Sequence, residues 1–221
     1  MRKNRLVKTI LATLMVIIMG IPPMSSSVGA TPNGFSDLPT THWAHMDIMR
    51  LVERGVISGF PDGTYRPEEP VTREQFAALV IRLLEEPAEE DEFFDDVPLG
   101  QWSNRYVAAA VNRGIIFQRD YGDNLGANLP ITRQEAAVWM VRALGIPVEE
   151  GTLVFNDRDE ITHRNEVAVA VEIGLIVGMP GNLLSPAGPT TRAQAAVHIV
   201  RMSNILNALT IGSGEEIHHY V

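Results

Sequence analysis

Three arginine residues recur at an almost constant interval, and each lies at the same place in a short motif. Arg73, Arg133 and Arg192 are 60 and 59 residues apart, and each directly follows a threonine. A guanidinium group is a planar fork that can bind a carboxylate or a phosphate through two parallel hydrogen bonds. The pattern therefore predicts either an anion-binding side chain in each repeat or a structural ion pair with a nearby acidic residue.

The segment around each arginine predicts the start of an α-helix. It reads Thr72-Arg73-Glu74-Gln75 at its first occurrence and Thr-x-x-Gln/Glu at all three. In such a capping box the threonine hydroxyl accepts from the third backbone amide, and the Gln or Glu side chain bonds back to the threonine amide. We expect each arginine at the first helical position, outside the core, where free amides and the positive end of the helix dipole also favour an anion. Loss of such a surface side chain is expected to cost little stability.

The motif belongs to a longer unit that occurs three times, beginning at Phe35, Phe94 and Phe155. Each unit predicts a first helix with one apolar stripe, a loop rich in glycine and proline, and a second helix. Three equivalent glycines are expected to end the first helices in a left-handed conformation: Gly55, Gly114 and Gly174. The three units together predict six main helices and no strand of useful length, so the predicted fold class is all-α.

The predicted domain organisation places a secretory signal peptide at residues 1–30. Basic residues precede an apolar run that is short for a membrane span, and small residues at Val28 and Ala30 suit a signal peptidase, although an uncleaved anchor is the alternative. The first repeat is expected at 31–86, an acidic linker at 87–92, the second repeat at 93–147, the third at 148–206 and a tail at 207–221.

Charge and composition exclude several classes of function. Beyond residue 30 the chain has 14 basic and 27 acidic residues, a net charge of −13, so it would repel the phosphate backbone of a nucleic acid. The chain contains no cysteine, which excludes disulfides, zinc–thiolate sites and cysteine nucleophiles.

Several motifs together resemble the S-layer homology (SLH) family. They are the capping box with arginine in second place, the Phe-x-Asp…Trp start of the unit, and the loop Asp-Gly-Thr-Tyr-Arg-Pro that begins at Asp62. The first unit matches the family pattern almost throughout, including Asp37 and His42-Trp43. The resemblance implies three helix–loop–helix repeats in a pseudo-threefold spindle. It also implies grooves between repeats that bind secondary cell-wall polysaccharide, commonly with a pyruvate ketal.

The role implied by the resemblance is non-covalent anchoring of a secreted protein at the cell wall. The expected partner is this polymer, with an envelope protein as a further possibility. No nucleic acid, no membrane span after signal cleavage, no cofactor, no metal and no catalytic residue are expected. The implied ligand-binding residues are Arg73, Arg133, Arg192, Trp43, Trp102, Asp62 and Gly63.

The three grooves are not expected to bind equally, because the third unit departs from the family pattern. Thr162-His163 stands where the other units have tryptophan, and Gly181-Asn182 replaces Asp62-Gly63. Arg73 shares its unit with Trp43 and Asp62, so we expect Arg73 to contribute more to binding than Arg192.

Three other functions stay open at this stage. A wall-glycan hydrolase would need two carboxylates at a fixed separation, and Asp95-Asp96 is an acidic pair in a repeat. A metal site could use His42, His45 and Asp47, although this set does not recur in the repeats. A helical-repeat adaptor that binds another surface protein would show a similar period.

Overall fold

The computed structural model describes residues 34–213, which fold into seven α-helices. They are α1 (His45–Glu53), α2 (Arg73–Leu84), α3 (Asn104–Asn112), α4 (Gln118–Tyr121), α5 (Arg133–Leu144), α6 (Arg164–Glu172) and α7 (Arg192–Ser213), with a 3-10 turn at Arg158–Glu160. Within this range β-structure is limited to isolated bridges, which confirms the all-α fold class. The predicted signal peptide at residues 1–30 lies outside the described residues.

The three predicted capping boxes are confirmed at the starts of α2, α5 and α7. The Gln75 amide donates to the Thr72 hydroxyl at 3.3 Å, and the Thr72 amide donates to the Gln75 side chain at 3.1 Å. Thr132 with Glu135 and Thr191 with Gln194 form the same reciprocal pair of bonds. Each arginine is therefore the first helical residue, as the sequence predicts.

The first helices end as predicted, and two elements differ from the expected six helices. Gly55, Gly114 and Gly174 have φ of 69°, 72° and 74°, just beyond the ends of α1, α3 and α6. The short helix α4 forms in the loop of the second unit, where the sequence of that loop is longest. Helix α7 continues to Ser213, into the segment expected to be a tail.

A closed cycle of backbone hydrogen bonds joins the residues that precede the three capping threonines. The Val71 amide donates to the Thr190 carbonyl at 2.9 Å, the Thr190 amide to the Ile131 carbonyl at 2.9 Å, and the Ile131 amide to the Val71 carbonyl at 3.0 Å. Because each unit donates one hydrogen bond and accepts one, the cycle lies on a pseudo-threefold axis.

The second helices pack around this axis and the first helices lie outside them. Helices α2, α5 and α7 contact one another, and each also packs on the first helix of the following unit: α2 on α3, α5 on α6 and α7 on α1. The last contact closes the ring between the third and first units. One continuous apolar core results, with large side chains such as Tyr65, Phe76 and Trp139 fully buried.

The aspartate of each Phe-x-Asp start holds the loop of its own unit. The Asp37 carboxylate accepts from the Tyr65 and Arg66 amides at 2.7 Å each. Asp96 and Asp157 accept two loop amides in the same way. These bonds fix the loop that lies across the arginine of the preceding unit.

Candidate functional site

Each motif arginine reaches out of its own unit and into the loop of the next one. Arg192 donates from Nε to the Tyr65 carbonyl at 2.8 Å and from Nη2 to the Ser58 carbonyl at 3.2 Å. Arg133 bonds in the same way to the carbonyls of Leu184 and Val177, at 2.7 and 2.9 Å. The arginine of one unit and the loop of the following unit therefore form each candidate groove.

The expectation of free amides at the starts of these helices is wrong. The Arg73 amide donates to the Leu129 carbonyl and the Glu74 amide to the Ala127 carbonyl, both at 3.0 Å, and equivalent bonds form at α5 and α7. The cyclic packing places the next unit's loop across each helix start. The carbonyl groups of that loop accept the hydrogen bonds that the helix amides could otherwise donate to an anion. An anion can therefore be bound here only by side chains.

The expectation that the motif arginines lie on the surface, outside the core, is also wrong. Arg133 is 5% exposed, and Arg73 and Arg192 are half-buried. Each of the three side chains connects its own unit to another unit, so we expect them to contribute to stability as well as to any binding.

An open groove, which we call the first groove, lies between the first unit's loop, α2 and the start of α7. Its polar and aromatic lining comes from all three units: Ser58, Tyr65, Gln75, Arg82, Trp102 and Arg192. The complete lining contains two arginines and no acidic residue.

Arg192 is held in the first groove as a partly desolvated cation. Its guanidinium lies 4.8 Å from the centre of the Phe60 ring and 4.6 Å from that of Tyr65. Burial lowers the pKa of Arg192, partly offset by the nearby Tyr65 and Glu69. Its Nη1 has no hydrogen-bond partner among the described residues. A carboxylate entering the groove could therefore satisfy this donor.

Arg82 is the second cation of the first groove, and it is not among the ligand-binding residues predicted from the sequence. The side chain is exposed and lies over the Tyr106 ring at 4.9 Å, and no carboxylate in the described residues lies within ion-pair distance of it. The sequence does contain a pattern that indicates this position, because Arg82, Arg142 and Arg201 recur at the repeat spacing of 60 and 59 residues.

The two predicted tryptophans lie in different places. Trp102 lines the first groove, is 50% exposed and packs near Tyr106 with ring centres 6.3 Å apart. Trp43 is 61% exposed, stacks on His42 at 5.6 Å and is not part of this lining. An exposed indole face beside two arginines can pack on the apolar face of a sugar.

Asp62 and Gly63 shape the first unit's loop. Asp62 accepts from the Thr64 amide at 3.0 Å and from Arg66 at 2.9 Å, and hydrogen bonds to Thr64 and Arg66 lower the pKa of Asp62 to about 2. Gly63 has a φ of 80°, which glycine adopts without strain.

The premise for ranking Arg73 above Arg192 is wrong. The hydrogen bonds and ion pairs of Arg73 go to Leu125, Gly126 and Glu135 of the second unit, rather than to Trp43 or Asp62. The cyclic packing instead brings Arg192 to the first unit's loop and to Trp102.

Between residues 34 and 213 no cluster of three or more His, Asp or Glu side chains could hold a metal ion. In the same range no helix combines the length and the apolar character that a bilayer span requires.

Comparison with known proteins identifies the family. The S-layer homology domain profile matches residues 34–77, 93–137 and 154–196, one stretch in each unit. The chain belongs to the S-layer homology family. This membership and the surface-layer relatives indicate a secreted protein associated with the cell wall and the cell surface.

Similar proteins include both surface-layer proteins and enzymes. The chain is 33% identical to an S-layer protein of Bacillus licheniformis over 90% of its own length and 23% of the relative's. It is 37% identical to Exoglucanase XynX of Acetivibrio thermocellus, over 75% of this chain and 16% of the relative. It is 35% identical to an amylopullulanase of Thermoanaerobacterium thermosulfurigenes, over 75% and 9%. The chain thus spans less than a quarter of the length of these three relatives.

Proposed function

We propose that this protein anchors non-covalently to the cell envelope by binding a carboxylate-bearing wall polysaccharide, such as one with a pyruvate ketal, in the first groove. The observation that carries the proposal is the lining of this groove, which contains Arg192 and Arg82 and no acidic residue. The chain as a whole is strongly acidic, but a cation within a groove acts on a bound anion at distances shorter than the screening length of about 8 Å, so the net charge does not prevent binding there.

The geometry supports binding of a carboxylate on a sugar. Arg192 is fixed by two backbone carbonyls and two aromatic rings, so little side-chain entropy remains to be lost on binding. Charge-assisted hydrogen bonds to a partly desolvated arginine contribute about 1.5–3 kcal/mol each. Trp102 offers an apolar face for the ring, while Gln75 and Ser58 can bond to hydroxyl groups.

The comparisons support an anchor rather than a catalyst. Relatives named as a surface-layer protein, an exoglucanase and an amylopullulanase share this segment, although their names describe different activities. A segment common to such different proteins is expected to serve what they share, and we propose that this is attachment to the envelope. The site residues we assign from the sequence-based set are Arg192 and Trp102, to which we add Arg82.

The proposal is tested by sedimentation with purified cell-wall sacculi from the producing bacterium. The protein should sediment with intact sacculi and stay in solution when acid has removed the secondary polymer. Arg192→Gln and Arg82→Gln should each weaken binding at least tenfold, because each removes a cation that has no internal carboxylate partner.

Arg50→Gln is the matched control, since Arg50 is an exposed arginine of α1 outside the groove lining. Equal binding to stripped sacculi, or equal losses in Arg50→Gln and Arg192→Gln, would contradict the proposal.

A further inference from the structure

The two residues on either side of Trp102 bond to a glutamate at the start of α2. Gln101 Nε2 donates to Glu74 Oε2 at 2.9 Å and to the Ser103 hydroxyl at 3.0 Å. That hydroxyl donates to the same Glu74 oxygen at 2.6 Å. Ser103 is fully buried and Glu74 is half-buried, so water has little access to these bonds. We call Glu74, Gln101 and Ser103 the Glu74 cluster.

The Glu74 cluster adjoins the first groove without forming part of its lining. Trp102, between the two donors of the cluster, belongs to the lining and is 50% exposed. Its ring centre lies 6.3 Å from that of Tyr106 in α3, and the Tyr106 hydroxyl accepts from Arg82 Nη2 at 3.3 Å. The start of α3 therefore supports both the indole and one of the two cations of the groove, and the Glu74 cluster joins this start to α2.

The junction between the third and first units lacks such a cluster. Alanine stands at both of the corresponding positions, as Ala193 in the third unit and Ala44 in the first. Trp43, the counterpart of Trp102, is 61% exposed, and within residues 34–213 its one ring contact is with His42, its neighbour in the chain. The two tryptophans thus share a motif, but only Trp102 has neighbours whose side chains bond to another unit.

We propose that Glu74 is a positioning residue of the first groove, which holds Trp102 in the orientation that packs on the sugar. A side chain that is already ordered loses less entropy when a ligand binds. Hydrogen bonds to a carboxylate are shorter and stronger than those between neutral groups, so a glutamate orders its two donors well. The inference rests on the proposed function of the first groove.

The charge of Glu74, taken alone, would have the opposite effect on binding. A carboxylate close to the groove repels an anionic ligand, so its removal would strengthen binding if Glu74 acted only through its charge. Loss of the Glu74 cluster should instead weaken binding, because the ligand would then have to order Trp102. The direction of the change in affinity therefore distinguishes positioning from charge repulsion.

The test measures the affinity of the methyl glycoside of a hexose with a 4,6-pyruvate ketal by isothermal titration calorimetry. Glu74→Ala introduces the alanine of the third unit and should weaken binding about three- to tenfold. Glu74→Gln keeps an oxygen that can accept from both donors and should restore most of the affinity. Ser103→Ala removes one donor, introduces the alanine of the first unit and should weaken binding less than Glu74→Ala does. Thermal melting identifies any variant that fails to fold.

Gln134→Ala is the matched control. Gln134 occupies the position of Glu74 in the second unit, and its side-chain oxygen accepts from the Thr162 amide at 3.1 Å and from the Thr162 hydroxyl at 3.0 Å. The substitution removes an equivalent junction outside the lining of the first groove, so the affinity for the probe should not change.

A second measurement reports on the order of the indole itself. The heteronuclear nuclear Overhauser effect of the Trp102 indole NH should fall in Glu74→Ala towards the value of Trp43. The value of buried Trp139 should stay constant in the same spectra. A role of Glu74 in stability alone would not change the mobility of Trp102 in the folded protein.

The two proposals fail in different ways. Absence of any probe binding by the unaltered protein would contradict the proposed carboxylate-binding function. If the unaltered protein binds the probe, unchanged or higher affinity in Glu74→Ala, or an unchanged Trp102 signal, would overturn only the positioning role. Losses of affinity in Glu74→Gln or in Gln134→Ala that equal the loss in Glu74→Ala would overturn it as well.

Discussion

The first and third units have the same arginine geometry but different walls around it. Arg192 and Arg133 bond to equivalent loop carbonyls, yet Val71 and Leu79, which line the first groove, correspond to Thr190 and His198 in the third unit. Both polar residues are buried, at 0% and 4% exposure. A repeated arginine is therefore not sufficient for a site, because the residues around it decide whether it faces an open groove or the core.

Two buried side-chain atoms of the third unit are left without hydrogen bonds in the described residues. Thr190 Oγ1 and His198 Nε2 have no hydrogen bond within the part of the chain that the structure describes. The other imidazole nitrogen, Nδ1, lies 3.1 Å from the Leu175 carbonyl and must donate to it, because a carbonyl only accepts. Burying a polar group without a partner costs about 1–3 kcal/mol, so the third unit is expected to be less stable than the first.

The largest expected effect concerns His198 and pH. Burial, together with the charges of Arg133 and Arg201, lowers the pKa of His198 to about 3, although the bond to Leu175 opposes this shift. The unfolded chain protonates near pH 6.5, so stability is complete above that pH and falls as the pH drops towards 3. Between pH 7 and pH 5 the free energy of unfolding should fall by about 2 kcal/mol from this group alone.

His198→Leu introduces the first unit's residue and should remove most of that loss, as measured by urea unfolding at both pH values. His163, half-buried at the start of α6, provides the control substitution His163→Leu. An equal acid sensitivity in the protein and in His198→Leu would show that other groups cause it.

The next effect is the difference in stability between Arg133→Ala and Arg192→Ala, which we expect because the two arginines are buried to different extents. Arg133→Ala should lower the free energy of unfolding by about 2 kcal/mol, because it leaves a cavity and unpaired carbonyls in a site that is 5% exposed. Arg192→Ala should cost about 1 kcal/mol, since water can enter its open groove. Chemical denaturation at pH 7 measures both. A larger loss in Arg192→Ala would contradict the difference in burial as the cause.

A smaller change removes the unpaired hydroxyl of the third unit. Thr190→Val has nearly the same shape, keeps the backbone cycle and should raise the free energy of unfolding by about 1 kcal/mol. The reverse substitution, Val71→Thr, should lower it by a similar amount. If Thr190→Val is destabilising, the hydroxyl has a partner such as a buried water, and the comparison between the two units fails at this position.

The smallest difference is expected at the helix starts, where the two units are alike. Thr72→Ala and Thr191→Ala each remove one capping box and should each cost about 1 kcal/mol. The two losses should agree within about 0.5 kcal/mol, as thermal melting can show. A clearly unequal pair would mean that tertiary contacts, rather than local capping, dominate at one of these threonines.

Local features of the fold could be predicted because they depend on neighbours in the sequence. A capping box needs only residues three apart, and Gly55 ends its helix through its own backbone freedom. Repetition of these signals three times was sufficient to predict the all-α fold class and to indicate the SLH family. Short α4 was missed, because its loop carries no apolar period that predicts a helix.

The sequence by itself determined the repeats, the helix starts, the position of each arginine and the acidic character of the chain. Only the tertiary structure decided which residues surround each arginine, because these contacts join residues 52 positions apart for Arg73 with Leu125 and 134 apart for Arg192 with Ser58. Closure of the ring between α7 and α1 gives the first loop the arginine of the last unit. The same packing of each unit's arginine on the next unit pairs Arg73 with Glu135. The charge of a guanidinium beside a carboxylate is neutralised, even though the motif around Arg73 is the same as that around Arg192.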